Sequence, residues 1–304
     1  MIGIAGGSRT TASRAWTGSD LPDMSGRTVV VTGASSGIGS ASARAFAGAG
    51  ARVVLAVRDT AKGGQVAATM TGDTEVRELE LEDLASVRAF AAAWTGDIDI
   101  LVNNAGVMLV PEGRTHDGFE RQIGTNHLAH FALTNLLLPH ITDRIVTVSS
   151  HLHAGGRLDL DDLNWQSRPY QSSQAYSDSK LANVLFTLEL QRRLSASGAN
   201  VRALAVHPGM TRTNLFGHAT GLRAILINAL GRVLLQDPDQ GALSTLFAAT
   251  EDIPGGSFVA PGGFGHLRGT PEIALVSRAA QDVALARRLW DVSATLTGID
   301  SSGP

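Results

Sequence analysis

Tyr176 and Lys180 stand four residues apart in the run YSDSK, in a chain with only two tyrosines and two lysines. Residues at that spacing share one face of a helix. A neighbouring ammonium stabilises a phenolate and draws a tyrosine's pKa down from about 10 toward working pH, so the pair reads as a general acid/base. A surface tyrosine beside a solvated lysine is the plain alternative. Against it stands the use of arginine at 23 other positions, since a guanidinium is too basic and too bulky to replace the amine here.

A second group is Thr32-Gly33-Ala34-Ser35-Ser36-Gly37-Ile38-Gly39, set between a strand-like and a helix-like run. Glycines there let the backbone turn tightly and approach a pyrophosphate at a helix N-terminus, where free N–H groups and the dipole favour anions. The spacing is GxxxGxG rather than the commoner GxGxxG, and a purely structural glycine turn is the alternative that its position disfavours. The second strand ends Val57-Arg58. A carboxylate there would bind the ribose 2′-hydroxyl of NAD, whereas arginine suits the 2′-phosphate of NADP. NADP is therefore expected, with NAD possible; a surface ion pair is the other use for Arg58. Ser149 and Ser150 end the fifth strand, where a hydroxyl can hold a substrate oxygen or simply close a turn. Asn103-Asn104-Ala105-Gly106 ends the fourth in the same way, and Asn126 is polar among apolar neighbours, a pattern that also arises when a side chain only satisfies nearby backbone.

These residues require elements to place them. Short β-branched runs at 27–32, 51–57, 75–81, 98–102, 144–149 and 201–206 alternate with helically spaced apolar residues such as Leu84, Val87, Phe90 and Ala91. Strand-helix alternation gives a parallel sheet with helices on both faces, and strands buried on both faces are near-continuously apolar. The expected fold is therefore α/β: a Rossmann-like, doubly wound parallel sheet in a three-layer αβα single domain. Residues 118–138 read as one long helical stretch, 237–250 and 280–296 as further helices, and 257–260 as a last short strand. An apolar stripe over 222–234 (Leu222, Ile225, Leu226, Ala229, Leu230, Val233, Leu234) follows helical spacing.

Composition narrows the function classes. At 31.7 kDa and 43% hydrophobic, the chain suits one large core. Its 25 basic and 28 acidic residues are scattered, which argues against a nucleic-acid or polybasic membrane surface. The absence of cysteine excludes a thiolate nucleophile and thiolate metal sites and suits a reducing cytoplasm, so a cytoplasmic location and no metal are expected. Residues 1–15 read as a mobile leader without an anchor, 16–300 as the domain, about 210–236 as a substrate lid, and 301–304 as a tail. Trp16 is expected to dock on the body.

TGxxxGxG, NNAG, the strand-end serine, YxxxK and the later Pro208-Gly209 together resemble the short-chain dehydrogenase/reductase family over nearly all of 16–300. The stretches 125–131 (TNHLAHF), 176–186 (YSDSKLANVLF) and 289–298 (LWDVSATLTG) are similar to its retinol-dehydrogenase and protochlorophyllide-reductase-like branch. The resemblance implies Tyr176 as proton donor/acceptor, Lys180 as partner to Tyr176 and the nicotinamide ribose, and Ser150 as donor to the substrate oxygen. It implies Asn126 as holder of the water that links Lys180 to solvent. Gly33, Ser35, Ser36, Gly37, Ile38, Gly39, Arg58, Glu80, Leu81, Asn103, Ala105 and Gly106 would bind the cofactor, together with Tyr176 and Lys180; Pro208, Gly209, Thr211 and Thr213 would border the nicotinamide and its phosphates. Two positions depart from the pattern: Glu80 where the family usually has aspartate, and Ser36 where many NADP-preferring members carry a base. The expected activity is hydride transfer between NADP(H) and a small-molecule carbonyl/alcohol pair, with an apolar substrate. A dinucleotide-sensing binding protein is the alternative from another class. A monomer is expected, its C-terminal extension covering a sheet edge.

Overall fold

Along β1 (Thr28–Thr32) Val29 and Val31 point to one side of the sheet and Val30 to the other, and all three are fully buried. That pattern needs helices on both faces, and the computed structural model supplies them; it describes residues 15–211 and 236–300. Among the described residues seven parallel strands and one antiparallel strand lie in the order β3-β2-β1-β4-β5-β6-β7-β8. They are β2 (Arg52–Val57), β3 (Thr74–Glu78), β4 (Ile98–Asn103), β5 (Ile141–Val148), β6 (Arg202–Val206), β7 (Phe258–Pro261) and β8 (Pro271–Ala274).

On one face α1 (Gly37–Gly48), α2 (Thr60–Ala67) and α7 (Pro238–Thr250) cover Val29, Val31, Leu55 and Val102. On the other, α3 (Leu84–Ala92), α5 (Ala129–Leu137), α6 (Ser172–Ser197) and α8 (Val283–Thr297) pack over Val30, Val54 and Ile145. Phe131, Phe186 and Trp290 meet at this second core, with Phe131 edge-on to the indole at 4.9 Å. Such aromatic groupings contribute roughly 0.5–1.5 kcal/mol per pair beyond area burial. Trp16 docks as expected, its indole N–H donating to Glu251 Oε1 at 2.8 Å and its ring edge-on to Phe247.

Two expectations need correction. The strand at 257–260 is not the last: β8 pairs antiparallel to β7, with Val259 opposite Ile273. It escaped notice because it is four residues long and opens on Pro271, which only a sheet edge tolerates. The stretch 118–138 is not one helix. It opens as a single turn, α4 (Arg121–Ile123), widens to a π turn over Gly124–Leu128, and resumes as α5. A π turn inserts a residue without breaking the apolar stripe enough for the sequence to show it, and such turns are frequent at functional sites.

The order reverses between β1 and β4, which opens a crevice at the carboxyl ends of these strands. Thr213, the 222–234 stripe, the leader up to residue 14 and the tail lie outside the described residues.

Candidate active site

The crevice forms a cleft of about 490 Å³ running from the end of β2 across the β1/β4 switch point to α6. Its floor at the switch point is the glycine turn. Gly33 adopts φ +68°, and a side chain there would press on Ala105, whose Cβ would lie 2.8 Å away. At Gly39 a Cβ would fall 2.4 Å from Asn104 Nδ2 and 2.6 Å from the Gly33 carbonyl. These contacts keep the wall low, so that the first turn of α1 faces the cleft through Ser35, Ser36, Gly37 and Ile38. The Ser36 side chain makes no capping bond to its helix.

Thr32 ties the two loops of the switch point together. Its Oγ1 accepts from the N–H groups of Asn104 (2.9 Å) and Ala105 (3.0 Å), and Asn104 Nδ2 donates to the Thr32 carbonyl at 2.8 Å. Three hydrogen bonds thus join the glycine turn to the NNAG loop.

At the end of β2 the cleft is lined by Arg58, Asp59, Lys62, Glu80 and Leu81. Arg58 pairs with Glu80 at 3.6 Å while its side chain stays 73% exposed. The Asp59 carboxylate is turned onto its own helix, accepting the Lys62 N–H at 2.9 Å as the N-cap of α2. Lys62 was not foreseen, although the scarcity of lysine that singled out Lys180 applies equally to it: both lysines of the chain line this cleft.

At the other end α6 brings Tyr176 and Lys180 to the wall. Both are buried. Lys180 Nζ donates to the Val148 carbonyl at the end of β5, at 3.1 Å, and Ser149 Oγ donates back to the Lys180 carbonyl at 2.7 Å. Burial pulls the Lys180 ammonium down to about 8. Burial also pushes the Tyr176 phenol up to about 12, with a hydrogen bond to Ser150 acting in the opposite sense. The expectation that Lys180 holds the phenol low is therefore reversed, because desolvation of the phenolate is the largest influence on Tyr176.

Asn126 sits in the π turn, its side chain engaged with the loop after β4. Oδ1 accepts from Val107 N at 2.8 Å, and Nδ2 donates to the Val107 carbonyl at 3.0 Å and to Ser179 Oγ at 2.9 Å. One turn earlier Gln122 Oε1 accepts from Leu109 N at 2.9 Å. The two amides hold the segment that presents Val107, Met108 and Val110 to the cleft. His130, four residues beyond Asn126, bridges at Nδ1 to the Asn126 carbonyl (3.0 Å) and at Nε2 to Thr32 Oγ1 (2.9 Å). Gln122 and His130 were both missed; their one-turn spacing from Asn126 was the available signal.

Of the other residues singled out from the sequence, Gly33, Gly39, Ala105, Gly106 and Pro208 line the cleft. Ser150 meets it through Tyr176. Asn103 does not reach it: its amide is buried and donates to Thr134 Oγ1 at 2.8 Å. Thr211 is buried with its hydroxyl on the Pro208 carbonyl, and Gly209 packs under Gln236 and Leu267.

The fit to a nicotinamide dinucleotide is good. The cleft offers a low glycine wall and helix N-terminus for a pyrophosphate, two cations at one end, and a buried phenol–amine pair at the other. Comparisons agree. A family model for short chain dehydrogenases matches residues 27–221. Retinol dehydrogenase 13 of Homo sapiens is 43% identical over 294 residues, covering 91% of this chain and 86% of that protein. Retinol dehydrogenase 14 of Mus musculus is 40% identical over 307 residues, with 93% and 89% covered. A crystal structure of an uncharacterised protein from Mycobacterium paratuberculosis matches with a TM-score of 0.82 and 54% identity over 94% of this chain and 98% of its own. The 3-ketoacyl-(acyl-carrier-protein) reductase of Brucella melitensis, solved with NADH, gives a TM-score of 0.60 at 26% identity, with 77% and 96% covered. Sequence, fold and cleft converge: the chain belongs to the short-chain dehydrogenase family, in its retinol-dehydrogenase-like branch, and is an NAD(P)-dependent oxidoreductase of alcohol and carbonyl groups.

Proposed function

We propose that the protein prefers NADP(H) and interconverts an apolar aldehyde or ketone with its alcohol, working in the cytoplasm. The observation that carries the cofactor preference is the charge at the end of β2. Arg58 and Lys62 both face the cleft, while the one carboxylate on that strand's exit, Asp59, is committed to capping α2. The Arg58–Glu80 pair is long and exposed, and such pairs contribute little, so a 2′-phosphate with its larger charge competes well for the guanidinium.

Bound here, the nicotinamide supplies the hydride chemistry. Ser150 and the Tyr176 hydroxyl hold the substrate oxygen, and Tyr176 delivers the proton in reduction or removes it in oxidation. Lys180, on the same helix face, offsets the charge left on the phenolate oxygen. Val107, Met108, Val110 and Val148 give the walls an apolar character suited to a hydrocarbon substrate. The names of the retinol dehydrogenases it resembles point the same way. A cofactor sensor without turnover is not favoured, since it has no use for a buried phenol paired with an amine.

Steady-state rates against a homologous series of straight-chain aldehydes, with NADPH and NADH in turn, test this reading. Each buried methylene contributes about 0.8 kcal/mol, so four more carbons should raise kcat/KM by about two orders of magnitude, with NADPH ahead. A flat series, a preference for charged sugars, or faster turnover with NADH would overturn it.

A further inference from the structure

Beside the catalytic edge one histidine is fixed at both ring nitrogens. His153 lies in the short 3₁₀ turn His151–Gly155 that follows β5, buried, with its ring against Phe258 at 5.1 Å. Its Nδ1 is 2.8 Å from the Ser150 carbonyl, which only accepts, so Nδ1 carries the proton. Its Nε2 receives the N–H of Ser277 at 3.2 Å and must therefore be bare. The two bonds specify one neutral tautomer, and burial holds the ring below the ordinary imidazole range in agreement with it.

The partners differ in kind. Ser150 is the residue whose hydroxyl meets Tyr176. Ser277 belongs to the segment after β8, 124 residues beyond His153. Ser150 also caps the 3₁₀ turn, its Oγ accepting Leu152 N at 3.2 Å, and its carbonyl takes a second bond from the His153 main-chain N–H at 3.0 Å. The main-chain bond fixes the turn, and the ring adds a hydrogen bond from that turn to the C-terminal segment.

We propose that His153 is a positioning residue for the reaction: its ring, fixed in one tautomer by the Ser277 N–H, holds Ser150 in register with Tyr176 through Nδ1. The inference rests on the reading of Ser150 and Tyr176 given above. Displacement of a reacting group by about 1 Å costs on the order of 10²-fold in rate, so a tether of this kind acts on kcat and leaves the distant cofactor end alone.

Two near-isosteric substitutions separate the ring nitrogens. His153→Asn keeps an amide donor near the place of Nδ1 and loses the reach to Ser277; His153→Gln keeps an acceptor near the place of Nε2 and loses the donor to Ser150. The expected result is a kcat within about threefold of wild type for His153→Asn and a loss of at least about tenfold for His153→Gln, at unchanged NADPH Kd and similar Tm. NADPH binding measured on the same samples counts the folded sites, so kcat is expressed per competent site. Wild-type kcat in His153→Gln, equal losses in both variants, or losses that follow Tm would overturn the role. Tyr176→Phe assayed alongside keeps the two failures apart. An active Tyr176→Phe removes the underlying reading, whereas an inactive Tyr176→Phe beside a fully active His153→Gln removes only the role of His153.

Discussion

Lys180 Nζ lies 5.7 Å from the centre of the Tyr176 ring and donates at 3.1 Å to the carbonyl of Val148, so the ammonium is tethered to the end of β5 while it faces the phenol. The tether fixes the distance between the two functional side chains, and it does so inside the protein, where a charge is costly.

That cost predicts a pH dependence of stability. The folded-state pKa of Lys180, about 8, lies below its ordinary 10.5. Between those values the unfolded chain binds more protons than the folded one, so stability rises with pH. Above pH 10 the buried Tyr176 and the half-buried Tyr170, whose pKa values are raised, reverse the trend. Urea unfolding of the cofactor-free protein should show the midpoint climbing between about pH 8 and 10, and Lys180→Met should abolish the climb and unfold no earlier than wild type at pH 7 while losing turnover. A Lys180→Met protein several kilocalories per mole less stable would contradict this account.

Tyr176→Phe removes one hydroxyl from a buried site and leaves the glycine wall and both cations in place. Turnover should fall by about 10² to 10⁴, the usual contribution of a general acid/base, with NADPH affinity within a factor of about two. Near-wild-type turnover in the purified variant would take the proton-transfer role from Tyr176.

At the other end of the cleft, Arg58→Ala should weaken NADPH binding by roughly 1.5–3 kcal/mol and leave NADH nearly untouched. Lys62→Ala should act in the same direction and by less, because a lysine meets a phosphate as a point charge without the bidentate fork. Titration calorimetry with each cofactor decides; equal losses for the two would assign these cations to another task.

Gln122→Ala should loosen the segment that carries Met108, since Leu109 N loses its partner and Leu109 itself holds φ +53°, a conformation that a side chain rarely adopts. The expected effect is a rise in KM for the carbonyl substrate by about three- to tenfold with NADPH affinity unchanged. A parallel rise in the Kd of NADPH would show that the segment serves the cofactor instead.

Much of this architecture was legible in the chain itself. β1, β2, β4 and β6 announced themselves because strands buried on both faces have no polar alternation to blur them, and the Tyr176–Lys180 pair stood out against a background of arginine. The break at Asn126 did not show, because a π turn shifts the helix by one residue while its neighbours stay apolar. β8 was hidden by its brevity and by Pro271. The direction of the Tyr176 shift was misjudged for a physical reason: spacing reveals that an ammonium is near, but only the fold reveals how little water is left to share the charge. Asn103 was misplaced because a strand's last residue points to the ligand edge or to the layer beneath, and sequence does not say which.

The concentration of both lysines at one cleft also makes the protein an unusual substrate for bioconjugation. Apart from the amino terminus, an amine-directed dye meets one exposed target, Lys62, and one buried target, Lys180. Mild acylation should therefore place a reporter at the mouth of the cofactor end without mutagenesis, and the arginine-built surface elsewhere would stay unlabelled.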